Sequence, residues 1–318
     1  MKRQKTAILV SILILSTSLV GAAHAESSAN FDCMNQKEVE LCGSDESSLQ
    51  FSGGLSMQNP PPGETLILTA DKTDGSSISI HAITSSNGET SAVIDQFELN
   101  SGGGTRTILL PQSATNCGSG SYYTKESTRA VQPFYWWYNK GEEPASNSIY
   151  RIQEAFNTWE YGKNRCNTTV IPNSFASTYK GLTTDGPSMQ NVYTNDDSGH
   201  SVVMCGVQTS KHIVFWGWLD PDYLAVTCTT PISGGYGHSS IRINSDLPWY
   251  TTLDMASCDS KWDLKGTLTH EVGHVLGLDH FTHVGQTMRF SASMCDMNMR
   301  GLGYGDVHGA ASVFPPSQ

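Results

Sequence analysis

Residues 270–280 read HEVGHVLGLDH, and no other stretch of the chain restricts its fold as tightly. Three histidines and a glutamate stand in a run that also carries Val272, Val275, Leu276 and Leu278. An apolar helix buries such rings only when something inside satisfies their nitrogens. His270 and His274 are four residues apart, so a helix sets both rings on one face, one turn apart. Gly277 falls where that helix must end for the chain to turn back, since glycine accepts a left-handed backbone at no steric cost. The turn brings His280 round to the other two rings.

Zinc takes imidazole nitrogens in a tetrahedral array, and three protein ligands leave a fourth position for water, the mark of a catalytic site. His270, His274 and His280 are therefore predicted to ligate one catalytic Zn2+. Glu271 lies at the edge of the same face, within reach of that water without being a ligand. It is predicted to act as general base and then acid, with zinc polarising a scissile carbonyl. In a chain of this composition the eleven-residue pattern arises by chance in roughly a few chains per hundred thousand.

The chain around this motif reads as an exported protein. Lys2, Arg3 and Lys5 precede the apolar run AILVSILILSTSLVGA, and Ala23-His24-Ala25 is a small-x-small cleavage site. Residues 1–25 are predicted to be a signal peptide, and no later segment reaches the roughly 18 apolar residues of a membrane helix. Without the leader, 16 Lys and Arg face 30 Asp and Glu, a net charge of −14. That excess argues against nucleic acid and anionic membranes as partners. Eight cysteines, an even number, suit four disulfides in an extracellular, secreted protein, with roughly a hundred pairings open to them. Proximity suggests Cys258 with Cys295, which would tie the two sides of the motif together, Cys205 with Cys228, and Cys33 with Cys42. Cys117 and Cys166 then remain. Asn167-Thr168-Thr169 is a glycosylation sequon.

Composition divides the mature chain. Residues 26–127 carry TLILTA, SISIHAI, SAVIDQFEL and TRTILLP, short runs separated by turn residues, and read as a small all-β N-terminal unit. Residues 128–318 mix strands and helices. An aromatic strand, VQPFYWWYNKG, precedes a helix in SNSIYRIQEAFNTWEYG, with Asn147 or Ser148 as its cap and Ile149, Ile152, Ala155, Phe156 and Trp159 on its inner face. HIVFWGWL, YLAVTCTT and SSIRIN read as strands. The motif helix follows, with Asp263 as N-cap, and a last helix is expected from about Asp306. The fold class is α+β.

The long motif is similar to the zinc-binding signature of the metzincin metallopeptidases. Met288, eight residues after His280, stands where the matrixin branch carries its Met-turn. SIYRIQEAFNTW, LAVTCTT, SSIRINSDLPW and LGYGDVHGAASVF also resemble matrixin elements, and Asp306 stands where the second of a matrixin Asp pair would be. The likeness spans roughly residues 130–316 and is nearest to secreted bacterial matrixin-like proteases. Phe281 after the third histidine sets the chain apart from vertebrate matrixins and astacins, and LAVTC and SSIRIN lack the histidines of a structural zinc.

The resemblance implies a twisted mixed sheet with an active-site helix and a closing helix. It also implies a monomeric endopeptidase acting on extended protein or peptide substrates that pair with YLAVTC as an added strand. Ca2+ is admitted without an assigned site. His200, His212 and His238 read as surface histidines rather than a further metal site. Matrixin propeptides block the zinc with a cysteine; NCGSG keeps Cys117-Gly118 without its flanking Arg and Pro-Asp, and a disulfide is the preferred reading of Cys117. Residues 26–127 are left as a propeptide or an accessory domain. The alternative from another class is a secreted binding protein with a structural zinc, which predicts a closed fourth ligand or the loss of Glu271.

Overall fold

Short β-branched and aromatic runs bounded by Gly, Asp and Asn form sixteen strands among the described residues. The computed structural model describes residues 41–97 except 45–47 and 52–54, then Tyr122, then 129–315 except 131, 163–172, 187–188, 194–200, 206–210, 233–235, 253–257, 282–284 and 290–291. The leader, the boundary at 127–128, the strand expected in TRTILLP, the sequon, His200, Cys33, Cys117 and Cys166 lie outside the described residues.

In chain order the strands are β1 (Leu41–Ser44), β2 (Ser48–Phe51), β3 (Leu55–Gln58), β4 (Thr65–Lys72), β5 (Ser77–Thr84), β6 (Thr90–Phe97), β7 (Arg129–Ala130) and β8 (Phe134–Asn139). Helix α1 (Ser148–Glu160) precedes β9 (Ser177–Leu182), β10 (Met189–Tyr193), β11 (Ser201–Cys205), β12 (His212–Gly217), β13 (Tyr223–Ile232) and β14 (Tyr236–Asn244). Two short strands, β15 (Trp249–Tyr250) and β16 (Trp262–Asp263), lead into α2 (Leu264–Leu276), and α3 (Tyr304–Val313) closes the chain.

The large sheet has the order β6-β5-β4-β13-β14-β12-β8-β9, with β7 also on β14. Strands β9, β8, β12 and β14 pair in parallel, and β13 runs antiparallel to β14. The N-terminal strands are not set apart. β4 pairs antiparallel with β13 along the edge expected to receive substrate, and β3 pairs in parallel with β11 in a second sheet, β1-β2-β3-β11-β10. None of the described helices is long and apolar enough to cross a membrane.

Alternation along the strands explains two cores. On one face of the large sheet Phe134, Trp136, Tyr138, Val214 and Trp216 pack on the helices; on the other, Leu66, Leu68, Ala70, Val226 and Cys228 pack against the small sheet. Cys205–Cys228 links β11 to β13 with Cα atoms 5.8 Å apart. Cys258–Cys295, at 5.7 Å, ties the approach to α2 to the segment beyond Met288.

Helix α1 buries Ile152, Ala155, Phe156 and Trp159, but its start differs from expectation. Asn147 takes a left-handed backbone (φ 66°) and Ser148 Oγ donates to Ala145 O at 2.7 Å, so neither side chain caps the helix. Asp263 does cap α2, accepting from Gly266 N at 2.5 Å, while Gly277 ends it at φ 101°. The closing helix starts at Tyr304, two residues ahead of Asp306.

Gly273 lets α2 sit directly on its neighbours. A Cβ there would run into Met288 Sδ and come within 2.8 Å of Trp159 Cζ2. Gly273→Ala is expected to lose about 2 to 3 kcal/mol through overpacking, although alanine favours the helix; the midpoint of denaturant unfolding measures it.

Candidate metal centre

Helix α2 and the turn after Gly277 deliver all three motif histidines to one point. Their Nε2 atoms lie 2.9 Å apart for His270 and His274, and 3.1 Å apart for His274 and His280. Nδ1 of His270 donates to Thr287 O at 2.7 Å, and Nδ1 of His274 donates to Leu278 O at 3.0 Å. With the protons on Nδ1, these two Nε2 atoms face each other as bare lone pairs. Such an approach is repulsive unless a cation lies between them.

A fourth donor completes the group. Asp71 Oδ1 lies 3.0 Å from His280 Nε2, and Asp71 Oδ2 lies 3.2 Å from His270 Nε2. Tetrahedral zinc with N and O ligands spaces its donors by about 3.3 Å, close to all these edges. Three imidazoles and one carboxylate therefore fit zinc by donor chemistry and by spacing. Among the described residues no other cluster gathers three or more metal-capable side chains, and the calcium admitted from the sequence gains no site.

The fourth position, expected to stand open, is thus taken by a residue that sequence reading did not single out. The cause is strand register. Asp71 pairs with Ala225 across the β4–β13 seam, and Ile67, Thr69 and Asp71 alternate onto the face turned toward α2. Burial opposes ionisation of Asp71, but the His270 and His280 rings and a hydrogen bond with Glu271 hold its pKa at about 2. Burial likewise lowers His270 to about 4, leaving a carboxylate beside a neutral imidazole, the protonation states a metal requires. His270 and His280 are 0 % exposed, His274 and Glu271 1 %.

Glu271 reaches the rim of the group. Thr227 Oγ1, from β13, donates to Glu271 Oε2, and Thr69 Oγ1 donates to Thr227 O at 3.2 Å. Thr227 is a second residue the sequence did not single out. Its only signal was a polar position after the apolar run Leu224-Ala225-Val226, one of three threonines in the strand.

Met288 packs against α2, its Sδ facing Gly273, and the structure shows what fixes it. The carboxylate of Asp306 accepts from Thr287 N (2.6 Å), Met288 N (3.1 Å) and Gly303 N (2.6 Å). Since Thr287 O in turn holds His270, the Asp306 carboxylate sets the tilt of a ring two links away.

His212 and His238 do come together, at 3.3 Å, but His212 is buried, against expectation. Ser239 N donates to His212 Nδ1 at 3.0 Å, so His212 Nε2–H donates to His238 Nδ1. Burial and the neighbouring His238 lower the His212 pKa to about 3. The pair is a neutral hydrogen-bonded unit under the aromatic core, with Phe134 4.0 Å from the His212 ring.

Of the expected disulfides, Cys205–Cys228 and Cys258–Cys295 are present, whereas the side chains of the other four cysteines are not among those described. Residues 210–315 match the matrixin family, covering the strands β12 to β14, the histidine motif, Met288 and the closing helix. A comparison with curated proteins gave no match.

Proposed function

We propose that this chain, with its matrixin-like metzincin segment at residues 210–315, is a secreted zinc-dependent endopeptidase acting on extended polypeptides. The observation that carries the reading is the bare Nε2 pair of His270 and His274, with the Glu271 carboxyl at its side. His270, His274 and His280 would hold the ion. Zinc there would supply a Lewis acid for the scissile carbonyl and for the negative charge that develops on its oxygen.

The remaining work falls to the chain. The Oε atoms of Glu271 receive the proton of the attacking water and later give it to the leaving amine. Thr227 Oγ1 donates to Oε2 and so directs the other oxygen of the carboxyl. Asp306, through Thr287, and Leu278, through its carbonyl, fix the ring planes of His270 and His274. Strand β13 would offer backbone groups to an extended peptide only where β4, which now pairs with it from Tyr223 to Thr229, gives way.

One observation favours the alternative of a binding protein with a structural zinc: Asp71 supplies the closed fourth ligand that such a protein requires. Glu271 argues against it, because a purely structural site has no use for a buried carboxyl beside its ligands. Cleavage of an unfolded, reduced protein separates the two. The zinc-loaded mature chain is expected to yield fragments once limited trypsin treatment has trimmed residues 26–127. A chelator should stop the reaction and added Zn2+ restore it. Absence of cutting by intact and trimmed chains that both hold zinc would favour the structural site.

A further inference from the structure

We propose that Arg289 makes the cavity beside the histidine cluster a carboxylate site, so that preferred substrates carry an acidic side chain next to the scissile bond. This rests on the peptidase reading given above and names a substrate class for it.

The cavity adjoins the cluster. Asp71 forms one side of it, and Thr267, one turn ahead of His270 on α2, forms another. Leu224, Ala292 and Met299 add apolar walls, and among them stand two cations, Lys72 and Arg289. Lys72 belongs to β4, the strand that must give way to a peptide on β13, so Arg289 is the cation a bound substrate would still meet.

Arg289 directly follows Met288 and is 4 % exposed. Its Nη2 donates to Asp296 Oδ2. A buried ion pair can serve as a brace alone, but this segment is braced already. Cys295, next to Asp296, is bonded to Cys258, and its N–H donates to Lys261 O at 2.9 Å. Asp296 Oδ1 accepts from Asn298 N, also at 2.9 Å. The backbone therefore sets where the Asp296 carboxylate stands, and that carboxylate aims the guanidinium.

The charge of Arg289 is felt at the His270 ring. A cation so placed opposes a metal ion on the same rings, a cost that an anion between the two would offset. Asp296 shows that a carboxylate fits against this guanidinium, whose planar fork can hold one through two parallel N–H donors. An apolar side chain in the same place would strip water from Arg289 without giving it an acceptor.

Hydroxamates test the site on the full zinc-loaded mature chain without any peptide being cut. Succinic monohydroxamate and butyrohydroxamate share a metal-binding head and differ in a carboxylate in place of a methyl group. Calorimetry should show the succinic compound binding about thirtyfold tighter. Arg289→Gln should abolish the difference, and Arg289→Lys, which keeps the charge without the fork, should retain part of it. Asp296→Asn leaves Arg289 in place and weakens its present acceptor. It should widen the difference by about threefold, so the result does not hang on the folding of an Arg289 variant.

Equal binding of the two hydroxamates by the wild type would overturn the proposal, as would a preference that survives Arg289→Gln. Cleavage then locates the carboxylate. Among end-blocked peptides, Glu after the scissile bond should be favoured over Leu by a similar factor in kcat/KM. A preference instead for Leu with a free terminal carboxylate would overturn the side-chain assignment. The two readings fail separately. A chain that selects the succinic compound through Arg289 and cuts nothing retains the carboxylate site and loses the peptidase. A chain that cuts unfolded protein with no preference traceable to Arg289 retains the peptidase and loses the carboxylate site.

Discussion

Glu271→Gln is expected to lower the cleavage rate by about a thousandfold while leaving the bound zinc in place. The substitution keeps the size and shape of the side chain. It also keeps an oxygen to accept from Thr227 Oγ1, the contact that orients the carboxyl now. What disappears is the basic oxygen that the proposed mechanism uses to take a proton from water. Proton transfer by a positioned group is worth about a hundred to ten thousandfold, and nothing else on the described α2 face offers a carboxylate. The measurement is kcat on an unfolded protein with trimmed wild type and variant side by side, zinc content being determined on the same samples. A variant that keeps both its zinc and its rate would remove Glu271 from the chemistry.

The largest loss of stability is expected at Asp306. Its carboxylate is 1 % exposed and accepts from three backbone N–H groups, those of Thr287, Met288 and Gly303. Asp306→Ala leaves all three donors buried without an acceptor, and each such donor costs about 1 to 3 kcal/mol. Partial relaxation and entry of water reduce the sum, so a destabilisation of about 4 kcal/mol is expected in denaturant unfolding. A second effect follows from the same connection. Thr287 O orients His270, and loss of such an outer partner typically weakens zinc binding by about ten to a hundredfold. Chelator competition reads that change. Asp306→Asn, which keeps one acceptor oxygen, should recover part of both losses. An Asp306→Ala chain of unchanged stability would show that the loop at 287–288 holds itself.

What could be read in advance depended on how local the cause was. Helix α2 was legible because its signals lie within one helix: the spacing of His270 and His274, Asp263 before it and Gly277 after it. The mixed sheet with α2 and α3 against it was legible in outline from strand-like runs and from the likeness to matrixins. Cys258 and Cys295 were legible because they flank the motif in sequence. The cap of α1 was misjudged because two good capping residues in a row do not reveal which backbone bends. Asp71 was out of reach for a different reason. It lies 209 residues from His280, and its position is set by the pairing of two distant strands rather than by any pattern around it. TLILTADK shows an acid at the end of an apolar strand, which is the ordinary way for a strand to meet solvent. Thr227 has the same difficulty, since only the placement of β13 over α2 gives its hydroxyl a carboxyl to meet.

The β4–β13 seam therefore does more than join two sheets; it works as an address. The pairing puts Asp71 opposite Ala225, with an irregularity in the ladder between Tyr223 and Ala225 that interrupts regular sliding. A slip of one residue in either direction would present Ala70 or Lys72 to the three imidazoles: a methyl group that binds nothing, or an ammonium that repels the cation. Misalignment of this ladder should yield molecules whose three imidazoles have lost their carboxylate partner.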